Sequence, residues 1–492
     1  MIFGVDTASG SRSSTGRRTL AGHCCHNNSV RLLFILSVLL PCCLQGDDHY
    51  RVRFDDDLNA VEVEACFDGP VPGRLYRSRH AAKFTEWIRT ESRDVNRYSQ
   101  GSRLTLPALP DGACVSWRVN LKQATEQKDY RLALSLDDSV ITDGNLWFWR
   151  DGEHRPILVE VMLPDGVSIS TPWKEQETRA GNSGGNTIFR PDPTPASWSS
   201  RIAVGHFRVQ RIPVAGTELR LATIGRLNAR QHETISAWIK ETADAVASVY
   251  GRFPRQAPQI LVIPIGKRGQ AVPWAHVLRG GGAAAEFFVD ETRSLNNFRK
   301  DWTATHELSH MLLPFVTRDD RWLSEGLASY YQNVLRARDG RLSEQQAWQR
   351  LHRGFERGRA GTSGGSLARA TRSGWGSTMR VYWSGAAIML KADSELRMLT
   401  GGQQSLDSAL GVLQECCFEN ERTWQARELL SELDRITGTS IFTDLYREHV
   451  MDDQFPNIEY TFEQLGLVLR SDSIRFDPDA PWGRIRYYIM KG

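Results

Sequence analysis

Three side chains in one short window have the types and spacing of ligands for a single metal ion. His306 and His310 are four residues apart, so on a helix their imidazoles lie on one face, one turn apart. Glu325 follows after fourteen intervening residues and can supply a carboxylate. Zinc accepts nitrogen and carboxylate ligands tetrahedrally, and a catalytic zinc keeps a fourth position open for water. The spacing therefore predicts one zinc ion held by these three residues.

Glu307 lies beside the two histidines and can address a water at the metal. A carboxylate in that position can act as a general base in hydrolysis. A chance H-E-x-x-H is expected in roughly one chain in fifty of this length, so an incidental His pair without metal is the alternative interpretation. A second pair, His232-Glu233, has Ser236 where the partner histidine would stand, and we interpret it as a solvated helix face.

Two helices must position these side chains. The first begins after Ser294, a capping residue, and ends at Pro314, and its apolar residues recur at helical spacing. The second carries Glu325 near its start and has the same periodicity over residues 322–335. The polar residues 318–321 between them let the second helix fold back and present Glu325 to the histidines.

Two longer segments resemble a known group of zinc peptidases. Residues 322–329, W-L-S-E-G-L-A-S, resemble the W-L-N-E-G-F-A-S segment of gluzincins of the aminopeptidase N type and of glycyl aminopeptidases. Residues 382–387, Y-W-S-G-A-A, resemble their Y-x-K-G-A-L segment, and residues 390–397 resemble the L-D-L-x-L-R stretch of glycyl aminopeptidases. The resemblance covers about residues 228–400. It implies a zinc-dependent peptidase in which Tyr382 stabilises the transition state; a core or surface tyrosine is the alternative.

Two further residues are candidates for roles around the site. The aminopeptidase N type recognises a free substrate amine with a G-A-M-E-N type motif, and the nearest segment here is residues 280–286, in which the Glu is offset and the Asn is absent. Glu286 is a candidate for binding a substrate amine from the end of a strand, or a solvated edge-strand residue. Ser329, one turn after Glu325, is a candidate partner for a ligand histidine, or a helix-surface serine.

Charge and the N-terminal segment limit the possible partners. The 61 basic and 58 acidic residues among 492 leave a net charge of +3, which gives no electrostatic case for binding nucleic acid. Arg31 precedes an apolar run over residues 32–44, which is typical of a signal peptide cut near Gly46, or of a short anchor. A run of thirteen residues is too short to span a bilayer. We predict an exported protein, periplasmic or secreted, with a peptide or protein substrate and no stable membrane span in the mature chain.

Four of the eight cysteines lie beyond this segment. Cys66 and Cys114 each lie in an apparent strand, and in an exported protein they are predicted to form a disulfide; two buried thiols would give the same pattern. Cys416 and Cys417 are adjacent, and we expect no bond between them because it would strain the backbone. One of the two is expected to pair elsewhere or to stay free.

The pattern of apolar residues predicts a multidomain α+β protein. Alternation as in residues 115–119 predicts an N-terminal β-sandwich, and the period becomes helical from Asn228. The predicted units are an export segment (1–46), the β-sandwich (47–226), a thermolysin-like catalytic domain (227–345) and a mainly helical C-terminal region (346–492). The predicted function is an exported zinc peptidase, with aminopeptidase action as one option. The alternative is an inactive zinc-binding scaffold or interaction module of the same fold.

Overall fold

The structure, a computed structural model, describes most of the chain beyond the export segment. The predicted export segment lies outside the described residues, apart from Gly46. Among the helices that are described, none is long and apolar enough to cross a membrane. The described residues are 46–77, 81–91, 93–95, 99–152, 155–176, 186–195, 198–362, 364–418, 422–470 and 473–492.

Sheets dominate the first part of the described chain. The elements are β1 (Asp48–Phe54), β2 (Ala60–Cys66), β3 (Arg74–Tyr76), β4 (Thr85–Thr90), β5 (Arg93–Asp94), β6 (Ser99–Gln100), β7 (Arg103–Thr105), β8 (Cys114–Asn120), α1 (Leu121–Glu126), β9 (Ala133–Leu136), β10 (Ser139–Asp143), β11 (Ile157–Met162), β12 (Ser168–Ser170), β13 (Lys174–Glu175), β14 (Thr187–Arg190) and β15 (Arg201–Gly205). One eight-stranded sheet has the order β13-β14-β11-β1-β2-β8-β4-β5. A four-stranded sheet has the order β12-β15-β10-β9, and a small sheet has the order β3-β7-β6.

Side-chain alternation explains how these sheets stack. In β8 the buried residues are Val115, Trp117 and Val119, so one face of the eight-stranded sheet is packed, as the sequence predicts. Every residue of β10 and β15 is buried. Neighbouring residues of these strands belong to different hydrophobic cores. Ile202 packs with the eight-stranded sheet, whereas Ala203 packs against a five-stranded sheet later in the chain. The four-stranded sheet therefore lies between two others.

A five-stranded sheet, named the catalytic sheet after the predicted catalytic domain, follows in the chain. Its strands are β16 (Arg208–Val214), β17 (Thr217–Thr223), β18 (Gln259–Pro264), β19 (Trp274–Leu278) and β20 (Ala284–Val289). Their order in the sheet is β16-β17-β18-β20-β19, and the edge strand β19 runs antiparallel to β20. Strands β16 and β17 precede the predicted domain boundary at residue 226, so the sheet begins earlier in the chain than the sequence indicates.

Helices follow this sheet and make up most of the remaining described chain. The predicted zinc helix is split in two: Ser294 caps the first part, and a second helix starts after Asp301, whose side chain accepts from Thr303 N at 2.8 Å. The elements are α2 (Ala229–Ala247), α3 (Leu295–Lys300), α4 (Thr303–Ser309), α5 (Arg321–Arg338), α6 (Glu344–Ala360), α7 (Leu367–Arg372), α8 (Thr378–Leu399), α9 (Leu406–Cys417), α10 (Ala426–Thr437), α11 (Ile441–His449), α12 (Glu459–Gln464), β21 (Leu467–Arg470), β22 (Ser473–Phe476) and α13 (Gly483–Lys491).

Helices α5 and α8 meet backbone to backbone at two glycines. A Cβ atom built on Gly385 would lie 2.1 Å from the carbonyl oxygen of Trp322 and 2.7 Å from the Cα of Gly326. Neither position has room for a larger residue. Because Glu325 adjoins Gly326 and Tyr382 lies one turn before Gly385, this crossing sets the separation of two candidate site residues.

The Gly385→Ala variant should unfold more easily than the wild type. The added methyl group meets backbone atoms, which cannot move aside as a side chain can, so we expect a loss of about 3 kcal/mol in the free energy of unfolding. Gly483→Ala is a matched control, since Gly483 also lies in a helix and a Cβ there meets nothing within 4 Å. Urea titration of both variants measures the difference, and equal midpoints would contradict the prediction.

Two disulfides lie in the described chain. Cys66 and Cys114 are bonded across the paired strands β2 and β8, which is the predicted pairing. Cys416 and Cys417 are bonded to each other, so the expectation that adjacent cysteines would not bridge is wrong. They are the last two residues of α9, where the chain leaves the helix and fewer helical hydrogen bonds constrain the backbone.

Candidate active site

The three predicted ligands converge in the structure. His306 Nε2 lies 3.2 Å and His310 Nε2 lies 3.5 Å from the same carboxylate oxygen of Glu325. The three candidate ligand atoms all lie within 4.8 Å of one another. Helix α4 carries His306, and His310 begins the 3-10 turn, His310–Leu312, that continues this helix. Helix α5 brings the carboxylate to the two imidazoles. Two imidazole nitrogens and one carboxylate oxygen around a point are a donor set that suits zinc.

The other ring nitrogen of each histidine has a partner on α5. His306 Nδ1 lies 2.9 Å from Gln332 Oε1, and His310 Nδ1 lies 2.9 Å from Ser324 Oγ. Such contacts fix the tautomer and the orientation of a ligand imidazole. The predicted partner, Ser329, is buried and does not fill either place. Helical spacing could have indicated Gln332, because it lies seven residues after Glu325 and hence two turns along the same face.

Removing the amide that holds His306 should weaken zinc binding. We expect Gln332→Ala to raise the zinc Kd about 10-fold to 100-fold, because the imidazole loses the contact that orients it. Ser329→Ala is the control, since the Nδ1 atoms of the two histidines are bonded to Gln332 and Ser324 and not to Ser329, and its zinc Kd should match the wild type. Competition with a chromophoric chelator measures both values. A Gln332→Ala protein with wild-type affinity would show that the contact is not needed for the metal.

Burial and neighbouring charges set the protonation states of His310 and Glu325 to those that bind a cation. Burial lowers the pKa of His310 to about 4, so the neutral imidazole that binds metals is the stable form at neutral pH. Burial alone would raise the pKa of Glu325, but His310, His306 and a hydrogen bond with Tyr382 lower it overall. The Glu325 carboxylate is therefore ionised, and binding of a cation requires little proton release from either residue.

Glu307 is held in a different electrostatic state. Its side chain is only 6% exposed, and burial together with the negative charge of Glu325 raises its pKa well above the ordinary value. A raised pKa makes a carboxylate a better proton acceptor. The structure thus places a carboxylate with a raised pKa on α4, next to His306 and one turn before His310.

Tyr382 reaches the site from α8, almost sixty residues after Glu325. Its ring lies parallel to the imidazole of His306, with 5.7 Å between ring centroids and 7° between planes. Its hydroxyl forms a hydrogen bond with Glu325, and burial raises the pKa of that hydroxyl well above the ordinary value. The phenol therefore stays protonated and can donate a hydrogen bond at the metal site.

Glu286 is not presented to the site as a binding residue. It lies on β20, which pairs with β18 on one edge and with β19 on the other, and its side chain is 1% exposed. Its carboxylate pairs with Arg201 at 3.1 Å and with His276 at 2.8 Å. Burial acts to raise the pKa of Glu286, but these two partners lower it overall. The structure therefore contradicts the prediction of an accessible amine-binding carboxylate.

Two arginines that the sequence did not single out border the site. Arg279 follows the edge strand β19 and donates from Nη2 to the carbonyl oxygen of His310 at 2.7 Å. Arg321 lies one turn before Glu325 on α5 and donates to the carbonyl oxygens of Thr371 and Gly374. Arg321 could have been found by its spacing from Glu325, whereas nothing local in the sequence links Arg279 to the histidines.

An aromatic pair lies beside Arg279. The rings of Trp198 and Phe315 have centroids 4.5 Å apart, and the Arg279 guanidinium lies 5.9 Å from the centroid of Phe315. Trp198 precedes β15 of the four-stranded sheet, whereas Phe315 follows the two histidines. The wall of the site near Arg279 therefore combines residues that are distant in sequence.

Solved structures with the same fold are known. An aminopeptidase N family protein from Idiomarina loihiensis is similar with a TM-score of 0.68 and 13% identity, over 88% of this chain and 82% of that chain. An M1 zinc metallopeptidase from Deinococcus radiodurans has a TM-score of 0.52 and 15% identity, over 84% and 93% of the two chains. Yeast LTA4 hydrolase in complex with bestatin has a TM-score of 0.51 and 12% identity, over 83% and 68%.

Comparison of the sequence with protein-family models and with curated proteins finds no match. The structural likeness nevertheless spans the sheets, the catalytic part and the helical C-terminal region. The chain has an M1-like gluzincin peptidase fold, and the predicted multidomain α+β class is confirmed.

Proposed function

We propose that this protein is a zinc-dependent peptidase. The observation that carries the proposal is the convergence of His306, His310 and Glu325, with Glu307 and Tyr382 beside them, on an M1-like fold. A mutant of the Deinococcus radiodurans M1 zinc metallopeptidase, 14% identical with a TM-score of 0.53, was solved with a Tyr-Ser-Ala substrate. That structure supports a peptide as the substrate class here.

Each residue has one chemical task in the proposed reaction. His306, His310 and Glu325 would hold a zinc ion, which would supply a Lewis acid that acidifies water and polarises the scissile carbonyl. Glu307 accepts the proton of the attacking water and passes it to the leaving amine. Tyr382 donates its hydroxyl hydrogen to the oxygen that becomes negative in the tetrahedral intermediate.

Metal content and turnover together test this proposal. The purified protein should contain one zinc per chain and hydrolyse peptides from unblocked or N-blocked libraries, and chelation should remove the activity. Zinc without any turnover would favour the alternative, an inactive scaffold of the same fold. A protein that binds no zinc would contradict both.

We also propose that the protein is exported to the periplasm or secreted. The apolar run over residues 32–44 supports this, and so does the Cys66–Cys114 disulfide, because disulfides persist in oxidising compartments. Fractionation of cells that express the full chain tests it. Recovery of an uncleaved chain only in the cytosol would contradict it.

A further inference from the structure

The bond between Cys416 and Cys417 closes no loop of the chain. Cys66 and Cys114 are separated by 48 positions, whereas Cys416 and Cys417 are neighbours. A disulfide stabilises a fold mainly by restricting the unfolded chain, and this effect grows with the length of the closed loop. Stabilisation of the fold therefore accounts for the first disulfide but not for the second, which calls for another role.

Cys416 is accessible to a small reagent and has surroundings that suit a thiol. It is exposed at the end of α9, whereas Cys66 and Cys114 face each other within paired strands and are half-buried. Its Sγ lies 3.4 Å from the carbonyl oxygen of Leu413 and 3.7 Å from Glu432 Oε1. Both oxygens can accept a hydrogen bond from a thiol, but a disulfide sulfur has no hydrogen to donate. The reduced form of Cys416 therefore gains contacts that the bonded form lacks.

The end of α9 is attached to the segment that precedes β18. Gln414 Oε1 accepts from Arg252 Nε at 2.7 Å, and Gln414 Nε2 donates to the carbonyl oxygen of Pro254 at 3.2 Å. The guanidinium of Arg255 lies over the ring of Phe418, 4.3 Å from its centroid. Phe418 directly follows the bonded pair, so the conformation of that pair sets the position of the ring.

Arg255 connects this contact to the turn that carries His310. Its Nη2 donates to the carbonyl oxygen of Leu313 at 3.3 Å, and the backbone N of Leu313 donates to the carbonyl oxygen of His310 at 3.4 Å. Later in the chain, the backbone N of Trp424 donates to the carbonyl oxygen of Phe315 at 2.7 Å. Contacts on both sides of the disulfide therefore reach residues 313–315, shortly after a candidate zinc ligand.

We propose that the Cys416–Cys417 disulfide exchanges with low-molecular-weight thiols and that, while bonded, it orders residues 310–317. The order is transmitted by the contact between Phe418 and Arg255. While bonded, the two cysteines and the peptide unit between them form one covalent ring, which restricts the backbone of both residues. Reduction opens this ring, so the last turn of α9 regains conformational freedom and the contact is populated less. The inference goes beyond the proposed peptidase function and does not depend on it.

The exchange is a two-electron reduction of the disulfide by two thiols. The thiolate of one small thiol attacks Cys416 Sγ and forms a mixed disulfide, while Cys417 leaves as a thiolate and takes up the proton that the attacking thiol lost. The second small thiol attacks the outer sulfur of the mixed disulfide, which releases Cys416 and transfers its proton to it. The products are two protein thiols and one small-molecule disulfide, and an excess of that disulfide reverses the reaction.

Alkylation at timed intervals measures the exchange. The purified protein is equilibrated with oxidised glutathione, transferred to reduced glutathione, quenched with iodoacetamide and mapped by mass spectrometry. Cys416 and Cys417 should be alkylated about tenfold faster than Cys66 and Cys114, because access controls the rate. Equal rates for the two pairs, or failure of positions 416 and 417 to bond in oxidised glutathione, would contradict the proposal.

Hydrogen exchange measures the order of residues 310–317 without using turnover. Their amides should exchange about fivefold faster after reduction, which is at the lower end of the coupling between distinct sites in proteins. Residues 157–162 of β11 are the reference, because they pair within the eight-stranded sheet and their exchange should stay constant. The Cys416→Ser/Cys417→Ser variant should match the reduced wild type in both buffers. Unchanged exchange at residues 310–317 would overturn the proposal and leave the peptidase function untouched.

Phe418→Leu tests the route through Arg255. The variant keeps the disulfide but loses the aromatic face beneath the guanidinium. Residues 310–317 should then exchange at the rate of the reduced wild type, and reduction should add no further change. Phe476→Leu is the matched control, because Phe476 also lies beneath an arginine, with the Arg486 guanidinium 4.4 Å from its ring centroid. A Phe418→Leu protein that responds to reduction as strongly as the wild type would refute the route.

Discussion

The Glu307→Gln variant should hydrolyse peptides about 100-fold to 10,000-fold more slowly than the wild type while it binds the same amount of zinc. Glutamine has the shape of glutamate but cannot accept the proton of the attacking water. Residue 307 is not one of the three candidate metal ligands, so the zinc content should not change. Steady-state kinetics together with elemental analysis measures both quantities.

A second His-Glu pair in the same chain provides the control for this variant. Glu233 follows His232 on α2, is exposed, and has no histidine four residues after His232. Glu233→Gln should therefore leave kcat and zinc content at wild-type values. Full activity in Glu307→Gln would rule out Glu307 as the base, and loss of zinc in that variant would show that it supports the metal instead.

The Tyr382→Phe variant should lower kcat about 100-fold to 1,000-fold, with a smaller change in KM. The hydroxyl donates to an oxygen that becomes fully negative only in the transition state, so its loss affects turnover more than substrate binding. A phenyl ring can keep the parallel contact with His306, and the three candidate ligands remain. Zinc affinity should therefore stay close to that of the wild type.

Tyr460→Phe is the matched control for Tyr382→Phe. Tyr460 lies on α12, is 63% exposed, and packs against Trp482. Removal of its hydroxyl should change neither kcat nor zinc binding. If Tyr382→Phe retained wild-type kcat, the interpretation of Tyr382 as a core tyrosine would be correct.

The sequence was most informative where a site depends on local periodicity. His306 lies on α4, His310 on the 3-10 turn that continues it, and Glu325 on α5, so helical spacing is enough to predict that they meet. Gln332 follows from the same periodicity, since it lies two turns after Glu325 on the same face, whereas the predicted partner, Ser329, lies one turn after it. Such contacts are predictable because a helix fixes which residues share a face.

Contacts that depend on the order of strands were not predictable from one sequence. Glu286 was interpreted as accessible because glycines flank its strand, but β19 takes the edge position and Arg201 arrives from another sheet. Arg279 is likewise distant in sequence from His310, whose carbonyl oxygen it contacts, and Trp198 is distant from Phe315. The beginning of the catalytic sheet was also missed, because strands β16 and β17 have the same alternating pattern as the sandwich strands before them.

The Arg201–Glu286 pair also bears on how this chain could have been assembled in evolution. Gly205 ends β15 and Arg208 begins β16, so only His206 and Phe207 separate the four-stranded sheet from the catalytic sheet along the chain. A recombination event that exchanged the N-terminal part at this junction would leave the Glu286 carboxylate without its guanidinium partner in an apolar interior. Exchange of one part alone is therefore expected to destabilise the interior, and a hinge motion between the two parts is disfavoured for the same reason.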